Sequence, residues 1–284
     1  MISDIRPNNI YQEDCLAFMD KLKHHDISVD VIVTSPPYNI NKAYSSYRDN
    51  KKREEYIFWL RCVAMKSFSI VKQTGSFFLN IGEIPSDPLL PIEIAKQFLD
   101  CGFKLQNVIH WIKSISLEKE DIGKANLLDY NTSIGHFKPI LSQRFLSAFH
   151  EYIFHFTKTG DIKLDKLAIG VVYQDKTNIG RWKSARQDKR DRGNVWFIPY
   201  STVQEARPHP ATFPEKLPLL CIKLHGIKRN MLVYDPFMGI GSTALACINL
   251  NVNYIGTEID GEYLKLTVEN IDERTSSLRR SKHT

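Results

Sequence analysis

Two periods of hydrophobic spacing alternate along this chain, and the switching between them is the first structural signal. Val29-Asp30-Val31-Ile32-Val33 is an apolar, β-branched run of the kind that forms a buried parallel strand. Gly75 to Ile81 and Leu105 to Ile112 read as further strands, and Pro91 to Asp100 as a helix closed by Gly102. From Glu54 to Val71 the apolar residues recur at helical spacing, with Tyr56, Trp59, Leu60, Val63 and Phe68 as the expected buried stripe. Residues 10–20 read as a short strand turning into a helix at Asp14, whose ordinary role there is an N-cap. Later, Met231 to Tyr234 predicts a strand, Thr243 to Leu250 the helix after it, and Tyr254 to Thr257 a strand ending at Glu258. Strands alternating with helices predict an α/β fold with a doubly wound, mostly parallel sheet. Residues 114–146 break the rhythm and read as an insertion or long loop; residues 40–52 read as a polar, mobile loop.

Composition narrows the class without naming a function. The 284 residues are 43% hydrophobic and 25% charged, as in a soluble protein with a sizeable core, and the net charge of +6 permits a polyanionic partner. The five cysteines are scattered without a CxxC pair, so neither a disulfide framework nor a zinc site is expected. No run approaches a membrane span and the N-terminus lacks a signal-peptide pattern, so the expected compartment is the cytoplasm. His150-Glu-Tyr-Ile-Phe-His155 spaces its histidines five apart in a strand-like segment, where they would face opposite sides. A helical zinc motif needs four, and no metal is expected.

Two stretches carry chemistry. Thr34-Ser35-Pro36-Pro37-Tyr38-Asn39 follows the first strand, and two prolines cannot continue a ladder, so the chain must leave the sheet at Ser35. Ligands of open α/β sheets bind at such carboxyl ends. In the rigid Pro-Pro frame the Ser35 hydroxyl, the Pro36 carbonyl and the Tyr38 ring face one place, which suits a planar group bearing an exocyclic amine. Read alone, the stretch is equally a Pro-Pro turn with a packed tyrosine. The second stretch is Tyr234-Asp235-Pro236-Phe237-Met238-Gly239-Ile240-Gly241-Ser242-Thr243. Gly239 and Gly241 allow the close backbone approach of a nucleoside-containing cofactor, and Glu258, at the next strand end, stands where an acid binds ribose hydroxyls. The missing third glycine argues against a dinucleotide. Between Arg181 and Arg192 lie six basic and two acidic residues with Trp182 interleaved, either a solvated face or a phosphate-contacting one.

Taken together, Ser35-Pro-Pro-Tyr38 and Asp235-Pro-Phe-Met-Gly-Ile-Gly-Ser-Thr243 resemble the S-adenosylmethionine-dependent DNA amino-methyltransferases, and their order along the chain resembles that family's β class. Stretches 150–158, 193–199 and 207–218 are also similar to that class. The resemblance implies a Rossmann-like methyltransferase fold with an inserted target-recognition region. It implies a catalytic half over 1–159, a target-recognition region over 160–205, and a cofactor-binding half over 206–284. S-adenosyl-L-methionine is the implied cofactor, with Asp235, Pro236, Phe237, Gly239, Gly241, Ser242 and Thr243 at its pocket and Glu258 on the ribose. Asp14 would lie near the adenine, and His209, Thr212 and Phe213 would close the site. Ser35, Pro36, Pro37 and Tyr38 match the catalytic frame. The expected partner is double-stranded DNA, contacted by Arg181, Lys183, Arg186, Lys189, Arg190 and Arg192. In the resembling family serine at the first frame position usually accompanies cytosine N4, and aspartate or asparagine adenine N6. The expectation is therefore N4-methylcytosine, with adenine N6, a non-catalytic nucleic-acid-binding relative, and a methyltransferase of RNA or small molecules as alternatives. A homodimer and a cognate restriction endonuclease of a restriction-modification system also fit the resemblance.

Overall fold

The computed structural model describes residues 5–41, 49–120, 130–135, 140–179, 188–199 and 212–280. In chain order the elements begin β1 (Asn9–Gln12), α1 (Cys15–His24), β2 (Val29–Thr34), α2 (Arg53–Ile70), β3 (Val71–Ile81), α3 (Leu90–Asp100) and β4 (Lys104–Ile112). A small antiparallel pair follows, β5 (Ile115–Leu117) with β6 (Thr132–Ile134), inside the stretch expected to be an insertion. Then come β7 (His150–Thr157), β8 (Val195–Phe197), α4 (Lys216–His225), β9 (Leu232–Asp235), α5 (Ser242–Leu250), β10 (Asn253–Glu258) and α6 (Gly261–Arg280).

The main sheet has eight strands in the order β1-β10-β9-β2-β3-β7-β4-β8. Among the described residues only β7 runs against the other strands of this sheet: its pairings with β3 and β4 are antiparallel and the sheet's other ladders are parallel. The doubly wound, mostly parallel sheet expected from the alternation is therefore present. Both of its faces are covered, which is why its strands read as continuous apolar runs. Ile32, Phe77, Leu79 and Phe156 pack with α1, α2 and α3 on one face. Val31, Val33, Phe78 and Ile153 pack with α4 and α5 on the other. The expected stripe of α2 is partly right: Tyr56, Leu60 and Val63 are buried, whereas Trp59 and Phe68 sit half-buried at its edge.

The site is placed by topology. Strands β2 and β9 are neighbours, but β2 leads into α2 on one face while β9 leads into α5 on the other. The two connections diverge and open a crevice beyond the carboxyl ends, the switch point where such sheets hold ligands.

Candidate active site

Asp235 joins the two motif stretches. The Thr34 hydroxyl at the end of β2 donates to Asp235 Oδ1 (2.7 Å), and the Thr243 hydroxyl at the start of α5 donates to Oδ2 (2.6 Å). The Phe237 amide also donates to Oδ1, at 3.0 Å. Burial pushes the Asp235 carboxyl up to about 6, against the pull of the Thr243 and Thr34 hydroxyls and the Phe237 amide. The residue is expected from the sequence to line a cofactor pocket; here it is enclosed in the wall and fixes frame and glycine loop against each other.

The frame itself is braced from below. The Tyr56 hydroxyl of α2 donates to the Pro37 carbonyl at 2.7 Å, so that carbonyl is occupied. Among the described residues nothing donates to the Pro36 carbonyl. The loop beyond Tyr38 is tied at its stem: Asn39 Nδ2 donates to the Lys51 carbonyl, the Lys51 amide donates to Asn39 Oδ1, and the buried Asp49 carboxylate accepts the Asn39 and Ile40 amides. Expected to be a mobile loop over 40–52, the segment is pinned at both ends; residues 42–48 lie outside the described ones.

The glycine loop is held by α6. The Thr267 hydroxyl donates to the Gly239 carbonyl (2.6 Å) and Asn270 Nδ2 to the Ile240 carbonyl (3.0 Å). Gly241 has φ +93, and a Cβ there would meet Thr267 Cγ2 at 2.7 Å, so the close approach requires glycine. Glu258, at the end of β10, accepts the Gly239 amide (2.8 Å) and the Asp260 amide (2.9 Å). Burial raises its carboxyl above the usual range. Asp14 caps α1 as expected, accepting the Leu16 and Ala17 amides, while also reaching the crevice.

A cavity of about 340 Å³ fills the crevice. Ser35, Pro36, Pro37 and Tyr38 all line it. So do Asp14, Thr212, Phe213, Pro236, Phe237, Gly239, Ser242 and Glu258 of the expected cofactor residues. Gly241, Thr243 and Asp235 do not line it and instead build its walls. His209 lies outside the described residues. The end of the cavity beyond β1 and β10 is acidic, carrying Glu13, Asp14, Glu258 and Asp260. A carboxylate takes the glycine-loop amide that a pyrophosphate would need. The donor set fits a nucleoside bearing hydroxyls and positive charge, and opposes a phosphate.

Asn80, Glu151 and Trp59 are among the lining residues to which the sequence assigned no site role. Asn80 at the end of β3 donates through Nδ2 to Tyr38 Oη and to Glu151 Oε2, each at 2.7 Å. Glu151 of β7 accepts the Tyr38 hydroxyl (2.8 Å) and the Lys113 ammonium (2.9 Å). Trp59 of α2 packs its ring 5.4 Å from that of Phe237, joining the helix to the loop after β9. The stretch holding Glu151, 150–158, carries part of the resemblance, but Glu151 itself has no expected site role there. Its His155 is a core residue, bonded to Ser76 Oγ at 2.9 Å, and burial lowers it to about 3.

Of the expected DNA contacts, Arg181, Lys183 and Arg186 lie outside the described residues. Arg190 is exposed and Lys189 half-exposed, while Arg192 Nε donates to the Ile169 carbonyl at 2.9 Å. Trp196 and Ile198, just beyond, are buried in the core beside β4.

Sheet, switch-point crevice and acid-lined cavity define a doubly wound α/β protein whose strand ends open on a cavity suited to a nucleoside-type ligand. The chain belongs to the N6_N4_Mtase family, the DNA methylases, whose profile matches residues 29–269. It is 29% identical over 274 residues to the type II methyltransferase M.BglII of Bacillus subtilis, covering 92% of this chain and 68% of that one. It is 27% identical to the DNA adenine methyltransferase YhdJ of Escherichia coli (strain K12), over 93% of this chain and 82% of that one. The fold is shared with the PvuII DNA methyltransferase (cytosine-N4-specific), at a TM-score of 0.64 and 19% identity over 93% and 88% of the two chains. Among the described residues no helix is long and apolar enough to cross a membrane.

Proposed function

We propose that this DNA methylase transfers a methyl group from S-adenosylmethionine to the exocyclic N4 of a cytosine flipped out of duplex DNA. The observation that carries the reading is the position of Ser35-Pro36-Pro37-Tyr38 on the rim of the same cavity whose far end is lined by Asp14, Glu258 and the Gly239 loop. One end accepts an amine; the other suits a nucleoside with hydroxyls and no phosphate. When bound, the cofactor supplies an electrophilic methyl group on a sulfonium. Solved neighbours of this fold were determined with S-adenosylmethionine, which supports that choice.

Glu258 would hold the ribose hydroxyls, Asp14 the adenine edge, and Phe237 one face of the ring. A duplex buries the base, so the target must be extruded at a cost of about a few kcal/mol of unstacking. The amine is a weak nucleophile because its lone pair is delocalised into the ring. The Ser35 hydroxyl and the Pro36 carbonyl can each accept one of its N–H bonds, which favours a pyramidal nitrogen and localises the lone pair. Catalysis is then chiefly positioning, and no covalent intermediate with a cysteine is required. Lys189 and Arg190, with the basic residues preceding them, are the proposed phosphate contacts.

The choice of cytosine rests on the neutral hydroxyl at position 35, the residue that usually accompanies N4 in the resembling family. The likeness to a relative named for adenine supports adenine N6 as the second reading. Incubating unmodified duplex DNA with the purified protein, digesting it to nucleosides and identifying the product by mass and retention decides between them. N4-methylcytosine upholds the proposal, N6-methyladenine alone replaces the target base, and 5-methylcytosine overturns the mechanism.

A further inference from the structure

We infer that Glu151 is the terminal acceptor for the proton that the target amine must lose, reached through Tyr38 and Ser35. The inference rests on the reading of the cavity as an amino-methyltransferase site. The amine's lone pair forms the new N–C bond while the old S–C pair stays on sulfur. Nitrogen is then left cationic, carrying the methyl and both of its hydrogens, and one proton has to leave.

The structure holds a directed path for it. Ser35 Oγ–H donates to Tyr38 Oη at 2.9 Å, and Tyr38 Oη–H donates to Glu151 Oε2 at 2.8 Å. Both hydroxyls point the same way, toward the carboxylate. Asn80 Nδ2 braces the path, 3.3 Å from Ser35 Oγ and 2.7 Å from both Tyr38 Oη and Glu151 Oε2. As the amine gives its proton to Ser35 Oγ, Ser35 passes its own to Tyr38 and Tyr38 passes its own to Glu151. Each hydroxyl ends as it began, and the carboxylate ends as the acid, to be reset by solvent.

Topology explains why a carboxylate can stand there. Because β7 alone is antiparallel, its beginning lies at the sheet edge where β2 and β3 end, and Glu151 is its second residue. Gly82 makes the room: a Cβ on it would lie 3.0 Å from Tyr38 Cε2 and 3.2 Å from Glu151 Cγ. Glu151 is only 7% exposed, and Lys113 supplies its counter-charge at 2.9 Å. A carboxylate meant only to prop Tyr38 could be replaced by any acceptor of the same shape, and that is the distinction to test.

Glu151→Gln keeps an acceptor for the Tyr38 hydroxyl but removes the basic site. Three quantities are measured on the variant: cofactor affinity by calorimetry, thermal melting, and the single-turnover rate with tritium-labelled S-adenosylmethionine on unmethylated plasmid DNA. Cofactor affinity within about twofold of wild type, with a turnover rate lower by about 10²-fold or more, is expected for loss of a proton acceptor. Glu151→Asp should recover part of that rate. Tyr38→Phe, which cuts the path while leaving the carboxylate, should lose a similar factor, and the double variant should be no slower than the slower single one. Turnover of Glu151→Gln near the wild-type rate, or losses that multiply in the double variant, would overturn the relay. Should Glu151→Gln fail to fold, Tyr38→Phe against Glu151→Asp and their combination decide the matter by the same additivity. A wild-type protein that moves no methyl group to DNA refutes the enzymatic reading itself, an outcome separate from failure of the relay.

Discussion

Replacing Asp235 separates its role as a wall residue from a role as a cofactor ligand. Its carboxyl stands at about 6, raised by burial from the model-compound value of 3.8. A difference of about two units corresponds to about 3 kcal/mol between the two protonation states. Between pH 4 and 6 the unfolded chain releases this proton while the folded chain keeps it. The group's contribution is therefore fully present below about pH 4, falls as pH rises through 6, and is flat above. Asp235→Asn cannot ionise, so it loses that pH dependence while keeping one acceptor for Thr34 or Thr243. Asp235→Ala leaves two buried hydroxyls and the Phe237 amide without their acceptor, at about 1–3 kcal/mol each, offset by the relieved ionisation cost. At pH 7.5 the alanine variant should be less stable than wild type by about 1–5 kcal/mol, and the asparagine variant within about 1 kcal/mol of wild type. The assay is urea unfolding followed by tryptophan fluorescence at several pH values from 4.5 to 7.5 (roughly the window of the titration). The stability of Asp235→Asn relative to wild type should rise by about 2 kcal/mol across that range. A difference that stays constant with pH would refute the reasoning, because it would mean that the carboxylate is ionised in the folded protein without penalty. Cofactor affinity of Asp235→Asn should stay near wild type, since the side chain does not line the cavity.

Further outcomes follow from individual contacts. Gly82→Ala should press Tyr38 and Glu151 apart and slow single turnover by about tenfold, with cofactor affinity measured by calorimetry unchanged. Tyr56→Phe removes the bond to the Pro37 carbonyl; thermal or urea unfolding should show a loss of about 1 kcal/mol, and turnover should fall as the frame loosens. At position 14 cap and cavity roles separate: Asp14→Ser should keep stability and weaken cofactor binding, whereas Asp14→Ala should also cost about 1 kcal/mol.

Much of this was legible in the chain because its causes are local. The run 29–33 is β-branched and apolar, the prolines at 36 and 37 must end that strand, and glycine at 241 meets a left-handed backbone. Each can be read within a few residues, and so the strands, the doubly wound class and the place of the frame follow from sequence. The residues expected around the cofactor came from the resemblance, and most of those line the cavity. The tertiary structure decided what depends on distant partners. Whether Asp235 faces the cavity or the wall turns on Thr34, 201 positions away, and a motif at a strand end carries no record of which neighbour its carboxylate meets. Glu151 reaches Tyr38 across 113 positions only because β7 is inserted against the direction of the sheet. Strand direction is set by how the chain crosses over the packed faces, and no local hydrophobic period distinguishes an antiparallel strand buried on both sides from a parallel one.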